Sequence, residues 1–148
     1  MNTQAFVDTG AEMQRAFQED QFEKCEELAR KYLEMAEHFR DNWNYGNAIH
    51  KSNIYLGRLA LRTGQVEEAK TFLRQAGATP GSPQLNSFGP NMTLAKELLE
   101  LGEKEAVLHY LDACKKFWVW YLSSWKIYRW KRAIKRGEIP HFRGNMIY

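Results

Sequence analysis

Arg58 and Arg62 stand four residues apart in a helical pattern, so their guanidinium groups share one face. Each could grip a carboxylate with two parallel N–H bonds, which suits capture of an acidic side chain or a chain end. Lys51 on the same segment and Lys96 on a later one extend this basic set. Glu67 and Glu68 are the acids that could neutralise the two arginines and leave only a solvated face. Elsewhere the reactive side chains do not gather. His38, His50, His109 and His141 are scattered and lack the spacings of a metal site. Cys25 and Cys114 sit among apolar neighbours and read as small core residues. Gly77, Gly81 and Gly89 are too far apart and too proline-rich to cradle a phosphate. Neither a paired-carboxylate motif nor a nucleophile elbow is present. These residues point to binding rather than catalysis, without a cofactor or a metal.

A second chemistry lies near the end of the chain. Residues 115–136 hold eight basic side chains and no acid. The whole chain carries +3, so the remainder carries −5. Such asymmetry marks a basic contact surface. The same stretch is rich in aromatics. If it is one helix, Leu111, Cys114, Trp118, Leu122 and Trp125 form one apolar stripe that packs on the preceding helices. Val119, Trp120, Ile127, Trp130 and Ile134 form a second stripe roughly opposite, with Lys116, Lys126 and Lys131 in or beside it. The second stripe needs a cover. The tail 138–148, another protein, a second copy, an anionic membrane surface or a nucleic acid would each serve. Nothing in the chain resembles a nucleic-acid fold, which puts nucleic acid last among these.

The elements that must position these groups are all helical. Periodicity near 3.6 dominates, and strand signals are weak throughout. Six helices are expected, at 3–18, 21–41, 45–63, 66–77, 91–101 and 103–136. Gly137 stops the last one. The long connector 77–90 carries Leu85 and Phe88, which should tuck back onto the helices, and Asn91 suits the cap of the next helix. The chain also repeats itself. Asn53, Leu56, Gly57, Ala60, Gly64, Ala69, Leu73 and Ala76, shifted by 38, become Asn91, Leu94, Ala95, Leu98, Gly102, Val107, Leu111 and Cys114. Each position keeps its class, as a repeated helix–turn–helix unit requires. One such unit cannot bury its apolar face alone, so units must stack.

The order Leu56-Gly57, Ala60, Gly64, Ala69, Leu73 and Ala76, with Pro80 after it, resembles the tetratricopeptide repeat. Asn53 stands where that pattern has an aromatic residue, and Ala60 stands at its tyrosine position. A further copy begins at Asp20-Gln21-Phe22, followed by Cys25, Ala29 and Tyr32, its spacing of 44 attributed to a long second helix. The resemblance implies an all-α stack of about three antiparallel helix pairs, closed by a long C-terminal capping helix. It also implies a protein-binding adaptor whose groove is lined by the first helix of each pair. The basic set there departs from the lysine–asparagine clamp of chaperone-binding repeats. Spacings of 38 and 44 are similar to those of small bacterial kinesin-light-chain-like proteins, which implies a cytoskeletal filament or larger complex as partner.

At 148 residues the chain fits one domain, 1–137, with 138–148 as a tail packing on it or on a partner. The first eight residues offer no basic segment or apolar run for a secretory leader, so a cytoplasmic location is expected, peripheral to a membrane if the basic helix binds lipid. The expected partner-binding residues are Lys51, Arg58, Arg62 and Lys96 in the groove. On the last helix they are Trp120, Lys126, Ile127, Trp130, Lys131 and Ile134. The main expectation is a protein-interaction scaffold; the alternative is an adaptor held at a membrane by its basic, tryptophan-rich end.

Overall fold

Left-handed backbone at three positions sets the repeat. Asp20, Gly64 and Gly102 have φ of 59°, 75° and 82°. At each of these turns the next residue's N–H reaches back to a helix carbonyl: Gln21 to Ala16 at 2.8 Å, Gln65 to Ala60 at 2.9 Å, and Glu103 to Leu98 at 3.0 Å. This geometry ends one helix and launches the next in the opposite direction. Glycine takes it without strain, and aspartate is among the few other residues that tolerate it.

The computed structural model describes residues 2–147. Among these the chain is all-helical, without a strand. The helices are α1 (Thr3–Gln18), α2 (Phe22–Ala36), α3 (Tyr45–Arg62), α4 (Val66–Gly77), α5 (Pro83–Phe88), α6 (Thr93–Glu100), α7 (Lys104–Cys114) and α8 (Ser123–Lys135). A short 3-10 turn, Arg143–Met146, follows. Helices α1 and α2, α3 and α4, and α6 and α7 pair; α2 packs on α3, α4 on α7, and α7 on α8.

Apolar residues at helical spacing fill two linked cores. Phe6, Met13, Cys25, Ala29, Tyr32 and Leu56 bind α1, α2 and α3 together. Ile54, Leu73, Leu94, Leu98, Tyr110 and Trp130 belong to a second core that runs on into α8 and the tail. Phe72 touches both. The residues related by the shift of 38 are buried, apart from the two turn glycines. Gly57 shows why its position is small. A Cβ there would come within 2.3 Å of Leu94 Cδ2, so α3 and α6 could not keep their approach.

Two expected boundaries are corrected. Helix α2 stops at Ala36 rather than at 41, and turns follow it up to α3. Asn44 donates to the Tyr32 hydroxyl at 2.7 Å and Phe39 stacks on Phe6, so side-chain burial holds this connector in place of helix. The wide spacing of 44 therefore comes from the connector, not from a long helix. The single helix expected over 103–136 is broken between Cys114 and Ser123. There the Trp118 ring lies over Gly89, where a Cβ would meet Cε2 at 2.4 Å. The Val119 N–H donates to Asn86 O at 3.1 Å, and Ser123 Oγ donates to Trp118 O at 2.9 Å. Burying Phe117 and Trp118 and satisfying these backbone groups replaces the local helical bonds.

Inside the long connector, Ser82 caps α5 by accepting the Leu85 N–H at 3.0 Å, with Pro83 opening the helix. Leu85 is buried as expected, but Phe88 is 66% exposed rather than tucked in. Asn91 caps one residue early: its Oδ1 accepts the Thr93 N–H at 2.9 Å, just ahead of α6.

Candidate docking face

The four groove cations are not brought together as a free basic set. Arg58 sits 4.4 Å over the Phe17 ring and binds Glu97 at 2.9 Å, not Glu67 or Glu68. Arg62 lies 3.6 Å over the Phe22 ring. Phe17 and Phe22 meet edge to face at 5.5 Å, so the two arginines cap an aromatic pair at the foot of α1 and α2. Lys51 lies two turns earlier on the same side of α3, where α5 has closed in. It borders a hollow of about 230 Å³ with Asn47, His50, Gln84, Leu85 and Phe88, and burial lowers its pKa. Lys96 remains exposed.

The C-terminal residues also fall differently from the two-stripe expectation. Ile127, Trp130 and Ile134 do share one face of α8, but that face points inward. Ile127 and Ile134 are fully buried and Trp130 nearly so, which withdraws them from any partner surface. Trp130 is held between Trp118, 5.7 Å away, and Phe142 of the tail, 5.0 Å away. Lys131 pairs with Asp112, whose carboxyl is held below its usual pKa chiefly by that bond. Trp120 is half-buried, with Lys126 5.2 Å over its ring. Trp125, expected inside, is 54% exposed.

The tail is tied down by Asn145. Its Nδ2 donates to the Phe88 and Pro90 carbonyls at 3.0 and 2.9 Å, and its own carbonyl accepts the Met92 N–H at 2.8 Å. Helix α8 ends on the same turn as α1, α3 and α6. Gly137 has φ of 87°, and the Glu138 N–H donates to Ala133 O at 2.9 Å. Pro140 follows, so α8 stands as the first helix of a unit whose second helix is replaced by the packed tail.

With Ile127, Trp130 and Ile134 inside, the opposite side of α8 carries Trp125, Tyr128, Arg129, Arg132 and Arg136, all exposed. The Arg129 guanidinium is 4.9 Å from the Trp125 ring, and that of Arg132 is 5.8 Å from the Tyr128 ring. Arg136 pairs with Glu138. Among the described residues Lys126, Arg129, Arg132, Lys135 and Arg143 make no ion pair. Two hollows flank the helix. One of about 580 Å³ is walled by Trp125, Arg129, Arg136, His141 and Arg143 among others. The other, about 590 Å³, lies between Phe88, Trp118, Trp120 and Ile147, with Lys126 at its edge. Long cations flanked by exposed rings can hold an anionic partner while burying apolar surface.

Sequence reasoning missed His50, which lies fully inside. Its Nδ1 donates to Ala76 O at 3.0 Å and its Nε2 accepts the Asn91 N–H at 3.0 Å, a neutral ring with both nitrogens used. Desolvation, and then nearby Lys51, push its pKa down to about 4 against the Ala76 bond. Cys25 and Cys114 are buried free thiols, and burial raises the pKa of both. Among the described residues no helix is long and apolar enough to cross a membrane. No family model, curated protein or solved structure matches the chain.

Proposed function

We propose that the chain is a non-catalytic helical-repeat scaffold of tetratricopeptide kind that docks on a larger anionic partner through the outward face of α8. The observation that carries this reading is the composition of that face: Trp125, Tyr128, Arg129 and Arg132 are exposed together and carry no carboxylate among them. The groove of the first helices supports docking less well, because Arg58 is already paired with Glu97 and Lys51 is half-buried beside α5. An acidic protein, a filament lattice and an anionic bilayer share the chemistry that the α8 face would recognise. The three stacked pairs give that face a rigid mount, and rigid elements place contacts better than loops do.

The test compares variants in gently lysed cells. Arg129→Glu with Arg132→Glu should move the full-length protein from its large assembly into a small soluble fraction. Lys96→Glu on the groove side should leave it in place. Release by Lys96→Glu and retention by the double variant would sink the reading.

A further inference from the structure

Four apolar side chains are exposed on the approach to α8 and on its outward face. Val119, Tyr121, Trp125 and Tyr128 are 69%, 82%, 54% and 57% exposed. They follow one another over ten residues, and Trp120 and Tyr121 touch edge to face at 5.0 Å. Soluble monomers rarely expose large apolar side chains in number over so short a stretch without a use for them. Around them the charge is one-sided. Residues 115–148 hold nine lysines and arginines against the single acid Glu138, which is spent on Arg136.

We infer that this face seats on an anionic lipid bilayer, with Val119, Tyr121, Trp125 and Tyr128 at headgroup depth and Lys126, Arg129, Arg132 and Lys135 on lipid phosphates and carboxylates. The inference rests on reading α8 as the docking face. Tryptophan and tyrosine favour the bilayer interface because each has an apolar body and a polar tip. Long cations beside them reach the headgroups while their stems stay among apolar atoms. A bilayer also needs no complementary shape, which suits side chains spread over a loop and a helix. Nucleic acid fits less well: Val119 is 69% exposed and offers no ring for a base to stack on. A second copy meeting the same face would set two basic ends against each other.

Vesicle flotation of the full-length protein tests this, using phosphatidylcholine alone and phosphatidylcholine with phosphatidylserine. The protein should float with the phosphatidylserine vesicles and stay behind with the neutral ones. Binding should weaken steeply as salt rises from about 0.1 M to about 1 M, where screening shortens to roughly 3 Å. Arg129→Glu with Arg132→Glu should cost on the order of tenfold or more in affinity. Trp125→Ala with Tyr128→Ala should cost several-fold while leaving helicity unchanged, since both side chains are outside the core. In the wild type, tryptophan emission should shift to the blue on binding, and less so in the alanine variant.

No flotation with phosphatidylserine vesicles at low salt would overturn the bilayer assignment. So would flotation that neither double variant alters, or tighter binding to polyuridylate RNA than to the vesicles. If flotation fails while Arg129→Glu with Arg132→Glu still releases the protein from its cellular assembly, the docking face stands and only the bilayer falls. If that variant releases nothing either, both fall together.

Discussion

His50 and Asn91 lie 41 residues apart and are joined by one buried bond, the Asn91 N–H donating to His50 Nε2 at 3.0 Å. Through it α3 fixes the strand of chain that enters α6. The Tyr110 hydroxyl closes the same junction from α7, donating to Asn91 O at 2.7 Å. One neutral imidazole thus ties α3, the end of α4 and the start of α6, and its other nitrogen is spent on Ala76 O.

Acid should act first at this junction. The His50 pKa is about 4 in the fold against an ordinary 6.5, so above pH 6.5 the ring is neutral whether the chain is folded or not. Between about 6.5 and 4 the unfolded chain binds a proton that the folded one refuses. Stability should therefore fall through that window by on the order of 3 kcal/mol from this group, then level off. Denaturant melts from pH 7 to 4 would measure it. His50→Gln, which cannot be protonated, should remove most of the slope; an unchanged slope would place the acid sensitivity elsewhere.

Gly57→Leu should lower stability by about 1–3 kcal/mol, because the added side chain meets Leu94 at the crossing of α3 and α6. Thermal unfolding followed by circular dichroism would show it. A melting temperature equal to wild type would contradict the close approach of these helices.

The left-handed turn at Asp20 makes the opposite prediction. Asp20→Gly relieves the backbone cost at φ 59° and should stabilise the protein by a few tenths to about 1 kcal/mol. Gly64→Ala at the matching turn should destabilise it by a comparable amount. If both changes are neutral, these turns do not carry the strain assigned to them.

The repeat was legible in the sequence because its residues act locally. Gly64 and Gly102 mark turns, and Leu56, Ala69 and Leu73 fall at helical spacing on faces that prove buried. The break between α7 and α8 was not legible for the opposite reason. Lys115 to Leu122 are compatible with helix, and the contacts that end it come from distant Asn86, Ser87 and Gly89. Carrying a period of 100° per residue through that non-helical stretch joined Val119 and Trp120 to the Ile127 face and put Trp125 inside. Ile127, Trp130 and Ile134 were correctly placed on one face, but their burial depends on Phe142 and Trp118, which periodicity cannot locate. The pairing of Arg58 with Glu97, and the rings of Phe17 and Phe22 beneath Arg58 and Arg62, likewise depend on residues of other helices.

The tail should contribute to stability. Phe142→Ala would leave a void against Trp130 and cost on the order of 3 kcal/mol. Asn145→Ala would remove the bond to the buried Pro90 carbonyl and cost about 1–3 kcal/mol. Removing residues 138–148 should do both and raise binding of an apolar dye, as Trp130 and the hollow beside Phe88 open. A truncated chain that melts like the intact one and binds no more dye would contradict this.

The most direct test of the docking face is a photo-crosslinking amino acid placed at single exposed positions in the full-length protein inside cells. Positions 125 and 128 report on the outward side of α8, and positions 62 and 96 report on the groove of the first helices. Crosslinked products, to lipid or to macromolecule, should form at 125 and 128 and disappear when Arg129→Glu and Arg132→Glu are added. Crosslinks at 62 and 96 with none at 125 and 128 would contradict it.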